Sequence, residues 1–360
     1  MLLSCLLGTA VLNGQILRDS ASLNLLKEGV DAIYDFRFGI AHSAWRKLSL
    51  VYPEHPVVYL MKGMITYWEN YPLTPLSEAH IAYENDMLNC IRLSEERNSI
   101  SDYPEFLLAN LGARGMLLMF YADNNLSNNV FPLAASTYRY IRQSFDHSDV
   151  YPDFYFFTGL YNYYREAYPD AHPVYKVIAF LFPKGDRVKG LAEMQIAAEN
   201  SIMLQAESYF FLTHIYISYE NNFTQAYIYS KSLHDLYPGN LHYLSYYIRN
   251  LLLIKKYDEA ESLMSYNGNE TGNSYFEAQL KIFKGILQEK KYNNSGLAKK
   301  YYNDALNELY PFGYYGKEYS SYAWFGLSRI SDLENNKSDK RIFRKKALDL
   351  SSYKMINFDE

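Results

Sequence analysis

The sequence predicts an all-α fold, an array of about eight helical hairpins, on three observations. Its 360 residues hold 38 Tyr, 20 Phe and 3 Trp but only 18 Gly and 12 Pro, so it is rich in rings and poor in turns. Apolar residues recur at spacings of three and four, while the alternation of a strand is scarce. Small residues repeat at an interval of 34, Gly29 with Gly63 and Ala226 with Ala260. A fixed period of that length marks stacked hairpins, each burying its apolar face against its neighbours.

Met1 to Leu12 is almost wholly apolar, and Gly14 precedes a candidate cut at Gln15. A helix of that length spans ~18 Å, short of the ~20 residues that cross a bilayer. It suits the apolar region of an export signal over residues 1–14, although the basic start of such a signal is missing. Leu2-Leu3-Ser4-Cys5 reads alternatively as a lipidation box, but Leu6 to Leu12 would then be an apolar tether where a polar one is expected. A short buried helix is the third reading. No later apolar run is long enough to span a membrane. The expected location is exported, periplasmic or outer-membrane-associated, with lipidation at Cys5 disfavoured.

The repeat array is expected over 15–353, with a tail at 354–360. Its first hairpin spans 22–55, with Leu25, Leu26, Gly29 and Ile33 on one helix and Ala41, Trp45 and Leu48 on the other. The second, 56–102, carries an insertion at 70–77 before a helix with Ala82, Met87 and Ile91. The third, 103–150, turns at an Asn-rich stretch from Asp123 to Asn129, and the fourth, 151–206, contains an extended connection over 168–187. The fifth and sixth, 207–240 and 241–274, keep the 34-residue length. The seventh, 275–316, holds Gly285, Ala298 and Ala305. The last, 317–353, ends in a basic helix, Lys340 to Leu350, suited to capping the array.

Within these hairpins Gly29 is followed by Ala41, Trp45 and Pro53 at offsets of 12, 16 and 24, and Pro238 follows Ala226 by 12 as Pro53 follows Ala41. A small residue lets two helices approach closely, a bulky partner fills the adjacent hole, and proline stops the second helix. These spacings resemble the tetratricopeptide repeat. The stretch Phe182-Pro183-Lys184-Gly185-Asp186-Arg187, continued to Gly190-Leu191, is similar to a motif of secreted tetratricopeptide proteins of Gram-negative bacteria. It is more distantly similar to the tetratricopeptide family associated with the mitochondrial outer membrane and inclusion-body clearance. The resemblance implies a right-handed superhelix, an α-solenoid, that serves as a scaffold and brings no catalytic residue.

Composition and motifs exclude several chemistries. Net charge is −5, from 35 Lys plus Arg against 40 Asp plus Glu, which argues against a nucleic-acid partner. Two cysteines, Cys5 and Cys90, rule out a disulfide framework and a cysteine zinc cluster. Cys90 sits on an apolar stripe and reads as a buried, inert thiol. The eight histidines form no H-E-x-x-H pattern, and only His234 and His242 flank a common turn, so neither metal nor other cofactor is expected. In the 182–191 stretch, Asp186 or Gly185 is expected to start a helix, Asp186 by accepting orphan N–H groups, Arg187 to pair with Asp186, Asp170 or a neighbouring carbonyl, and Gly190 to allow close contact.

The family pattern implies that the first helix of each hairpin lines a concave groove. Register then assigns Ile33, Tyr34, Tyr67 and Trp68 to that face, followed by Phe156, Leu160, Tyr163 and Tyr164. Phe211, Ile215 and Tyr219 come from the fifth hairpin, and Ser245, Arg249 and Leu252 from the sixth. The candidate binding residues are therefore Tyr67, Trp68, Phe156, Tyr163, Tyr164, Tyr219 and Arg249, with Arg187 from the motif. Tyrosine combines a rigid apolar body with a polar tip, which suits protein recognition and sugar stacking alike. The leading expectation is a non-catalytic exported scaffold that binds a protein or peptide in an aromatic groove. A glycan-binding helical protein of the outer-membrane sugar-capture type is the alternative. A helical toroid acting on polysaccharide, with Glu69, Glu166, Asp170 and Asp186 as candidate acids, is the third.

Overall fold

The structure is a computed structural model and describes residues 16–96, 104–173, 176, 180–267, 271–352 and 356–358. The candidate signal at 1–14 and Cys5 lie outside the described residues. Among the described residues there are sixteen α-helices and no strand, so the all-α expectation holds. They pack as successive pairs: α1 (Ser20–Tyr34) with α2 (Phe38–Val51), α3 (Pro56–Glu69) with α4 (Ala79–Glu95), α5 (Pro104–Asp123) with α6 (Ser127–Ser144), and α7 (Phe154–Ala171) with α8 (Arg187–Asn200). The second half continues with α9 (Gln205–Ser218) and α10 (Phe223–Leu236), α11 (Leu241–Leu253) and α12 (Tyr257–Asn267), α13 (Ser274–Lys290) and α14 (Ser295–Leu309), and α15 (Lys317–Leu333) and α16 (Lys337–Leu350).

The turns inside the pairs repeat one device. Asn221, Asn293 and Asn335 each take a positive φ, and the next residue, Asn222, Asn294 or Asn336, caps the following helix through its side-chain oxygen. Asparagine tolerates the left-handed conformation and is also among the best helix N-caps, so one dipeptide ends one helix and starts the next. Phe36, Asn125 and Lys255 occupy the same left-handed position in three other pairs.

The repeated small residues stand where helices cross. A Cβ on Gly63 would lie 2.6 Å from Met87 Cε, and one on Gly29 would lie 2.5 Å from Met61 Cε. The tightest crossing is α7 on α8, where a Cβ on Gly190 would meet Tyr163 N at 2.6 Å and Gly159 O at 2.8 Å. Asp186 caps α8 by accepting from Lys189 N at 3.0 Å. The motif stretch thus acts in helix packing through Gly190 and in helix initiation through Asp186.

Distant hairpins also meet. Asp35 Oδ1 accepts from Gly239 N at 2.8 Å, and Asn240 Nδ2 donates to Tyr34 O at 2.8 Å, tying the first hairpin to the turn before α11. Tyr315 Oη donates to Leu73 O at 3.1 Å, tying the 70–77 insertion to the connection before α15. Ile16 is buried and Leu17 N donates to Glu105 Oε2 at 3.0 Å, while Ile356 and Phe358 are buried near Tyr322.

The 168–187 connection differs from its expectation. Helix α7 runs on through Pro169 to Ala171, because a proline so near a helix end disturbs few backbone bonds. Phe182 then packs on Tyr138 with centroids 4.7 Å apart, and its carbonyl accepts from Arg165 Nη2 at 3.1 Å.

Candidate functional site

The interior holds a cavity of about 390 Å³, lined almost entirely from the first helices of the pairs and the loops that enter them. Helix α3 brings Tyr67 and Trp68, and α5 brings Met116, Met119 and Asp123 at its end. Helix α9 adds Glu207, Phe210, Phe211 and His214, and α11 adds His242, Tyr243, Tyr246 and Arg249. Tyr275 on α13 and Tyr315, Glu318 and Tyr319 at the start of α15 close the ring. Ala122, Tyr314 and Ser352, all exposed, mark the mouth.

It is the 70–77 insertion, not 168–187, that enters this interior: no described residue of 168–187 lines the cavity. Tyr71 sits among Trp68, His242 and Tyr315, at centroid distances of 5.3, 4.6 and 5.7 Å. Behind it the backbone of Leu73 is held by Tyr315 and by Asn124 Nδ2 at 3.2 Å.

The walls carry more charge than the predicted apolar face allowed. Burial alone pushes the Asp123 carboxyl up to about 7. Burial likewise lifts Glu207 to about 8 against a helix N–H that favours its anion. Burial, followed by the positive charge of Arg249, lowers His214 to about 4 and His242 to about 3. At neutral pH both imidazoles are therefore uncharged, and Glu207 is mainly protonated. Arg249 lies over the Tyr246 ring, 4.3 Å from its centroid. Tyr34 Oη donates to Glu207 Oε1. Among the described residues, Glu207 Oε2, Trp68 Nε1 and His242 Nδ1 are buried without a hydrogen-bond partner.

The sequence-predicted residues separate into two groups. Tyr67, Trp68 and Arg249 meet at the cavity. Phe156 stays behind its wall, edge-on to Phe211 at 5.5 Å. Tyr163, Tyr164 and Tyr219 form a separate cluster on Ala167 and Ile215. There Arg187 Nη2 donates to Glu220 Oε1 at 2.7 Å, Tyr163 Oη donates to the same oxygen at 2.5 Å, and the guanidinium lies 5.5 Å from the Tyr163 centroid. Arg187 thus finds its acid in Glu220, with Asp170 farther at 4.0 Å. In α11 the predicted register was one turn late: Ser245 bonds Tyr319 Oη at 2.9 Å and Leu252 is core, while His242 and Tyr246 face inward.

The four acids considered for a toroid enzyme each have a partner within the fold. Glu69 pairs with His42 at 2.9 Å, Glu166 accepts from Gly185 N at 2.9 Å, Asp186 caps α8, and Asp170 faces Lys176 at 3.7 Å. Cys90 is buried, and burial raises its thiol. His234 stacks on Tyr247 at 5.5 Å, whereas His242 faces the cavity. Among the described residues no three His, Cys, Asp or Glu side chains stand close enough to hold a metal ion, and no helix is long and apolar enough to cross a membrane.

Sequence reasoning missed Tyr71, Asp123, Glu207, Tyr246 and Glu318. One was within reach: Glu207 stands one helical turn before Phe211, on the stripe already assigned to the groove. Comparison with known proteins finds no matching protein-family model, curated protein or solved structure.

Proposed function

We propose that this chain is a non-catalytic binding protein whose ligand is a small molecule held in the interior cavity. The observation that carries this reading is the lining of the cavity. A cavity of about 390 Å³ walled mainly by rings, with a few polar side chains among them, has the size and lining of a small-ligand pocket.

The array itself we read as a tetratricopeptide-type superhelix. The repeated small residues at helix crossings and the joining of Tyr34 to Asn240 support this, since a superhelix brings hairpins of distant sequence together. Export is part of the same reading. It is supported by the apolar Met1–Leu12 stretch and by Gly14 just before the candidate cut at Gln15.

The test is a thermal-shift screen of small polar and aromatic compounds against the chain and an Ala122→Phe variant, which narrows the mouth from an exposed position. A true cavity ligand raises the melting temperature of the parent but not of the variant, and is recovered chemically unchanged. A hit that stabilises both equally contradicts the interior site.

A protein partner on the outer face is the second reading. Ile40, Leu50 and Val51 on α2 and Ile81 and Leu88 on α4 are all exposed. Cross-linking that is lost on Leu50→Lys and Leu88→Lys, but kept by Ala122→Phe, would favour it.

A further inference from the structure

Acidic side chains outnumber basic ones on the cavity lining. Three carboxyl groups, of Asp123, Glu207 and Glu318, face it from α5, α9 and α15, against one guanidinium, Arg249. The other titratable groups facing it are His214 and His242 and the phenols of Tyr67, Tyr71, Tyr243, Tyr246, Tyr275, Tyr314, Tyr315 and Tyr319, none of which supplies a positive charge at neutral pH. The carboxylates are dispersed over the walls rather than gathered for a metal ion. Between them stand the faces and edges of Trp68 and the tyrosines, which attract a cation through their quadrupoles. Trp68 is only 7% exposed and lines the cavity.

Building on the small-ligand reading above, we propose that the cavity takes a small organic ammonium ion, primary or quaternary. Its nitrogen lies against the tyrosine and tryptophan rings, with Asp123 and Glu207 as counter-charge. Burial penalises both anions, so without a bound cation Glu207 is mainly protonated at neutral pH and Asp123 about half so. A bound ammonium offsets that penalty, so binding expels on the order of one proton per cation at pH 7. A neutral sugar makes no such demand.

The experiment is calorimetric titration of the full chain with choline, ethanolamine, the uncharged isostere 3,3-dimethylbutan-1-ol and methyl glucoside, each in two buffers of different ionisation enthalpy. The expected result is saturable binding of choline or ethanolamine with proton release, at least tenfold tighter than the isostere. Glu207→Gln and Asp123→Asn, each checked for an unchanged circular dichroism spectrum, should weaken the ammonium at least fivefold and reduce the protons released. Binding of the isostere or the glucoside as tightly as the ammonium overturns the charge assignment while leaving a small-ligand cavity standing. Ammonium binding without proton release also overturns it. Absence of heat and of thermal shift with every probe overturns this proposal and removes the support for the cavity reading beneath it.

Discussion

The hydroxyl of Tyr34, at the end of the first helix, donates to the carboxylate of Glu207, which lies 173 residues later on α9. That bond ties the first hairpin to the cavity wall and makes the carboxyl part of a closed interior. The ring of Tyr34 also lies 6.1 Å from Trp68 and 5.7 Å from Tyr237, so the contact seals one side with aromatic packing.

Stability should carry the signature of Glu207. Its folded pKa of about 8 stands above the ordinary 4.5, so the folded chain binds the extra proton. The sign follows: this stability is full below 4.5 and is lost as pH rises through 8. Asp123, raised to about 7, acts in the same direction. His214 and His242 act oppositely, their contribution being lost as pH falls from 6.5 toward 4 and 3. Glu207→Gln keeps an oxygen for Tyr34 and removes the proton linkage. The melting temperature of this variant relative to the parent should therefore rise between pH 5 and pH 9, and a constant offset would contradict the assignment.

Two glycine replacements should differ sharply. At Gly190 an added methyl meets backbone, Tyr163 N and Gly159 O, so α7 and α8 must separate. At Gly63 it meets the mobile end of Met87. Gly190→Ala is expected to cost about 3 kcal/mol or more, and Gly63→Ala within about 1 kcal/mol of zero, since a helical alanine offsets part of its clash. Urea midpoints of the two variants check this order.

Asp153 is a buried hub at the start of α7. Its carboxylate accepts from Ile202 N, Met203 N and Leu204 N at 3.0, 2.7 and 3.1 Å, fixing the turn between α8 and α9. Asp153→Ala strands all three donors and should destabilise by about 3 kcal/mol or more, with Asp153→Asn between it and the parent. Chemical denaturation reads both. Equal losses would mean that side-chain volume, rather than acceptance, matters here.

Much of the scaffold was legible because its causes are local. Small residues at 34-residue spacing mark helix crossings, and Pro53 and Pro238 mark the ends of second helices. The paired asparagines at 221–222, 293–294 and 335–336 are equally local, and a reader alert to left-handed turns finds them from sequence. The cavity was legible only in part. Tyr67, Trp68 and Arg249 follow from helical register, but Asp123 and Glu318 reach the same space through contacts between hairpins far apart in sequence. The inward path of the 70–77 insertion depends on Leu73 meeting Tyr315, which no spacing encodes. The Tyr163 cluster misled for a physical reason: its helical spacing is that of a groove face, yet the Gly159–Gly190 crossing draws it into contact with α8.

Trp68 offers the most direct test, because it lines the cavity. With Trp45→Phe and Trp324→Phe it becomes the sole tryptophan and an emission reporter of the interior. Choline titration should give a saturable change in its emission, absent when Ala122→Phe is added. No change across the titration, or the same change with the mouth narrowed, would contradict an ammonium ion bound in the interior.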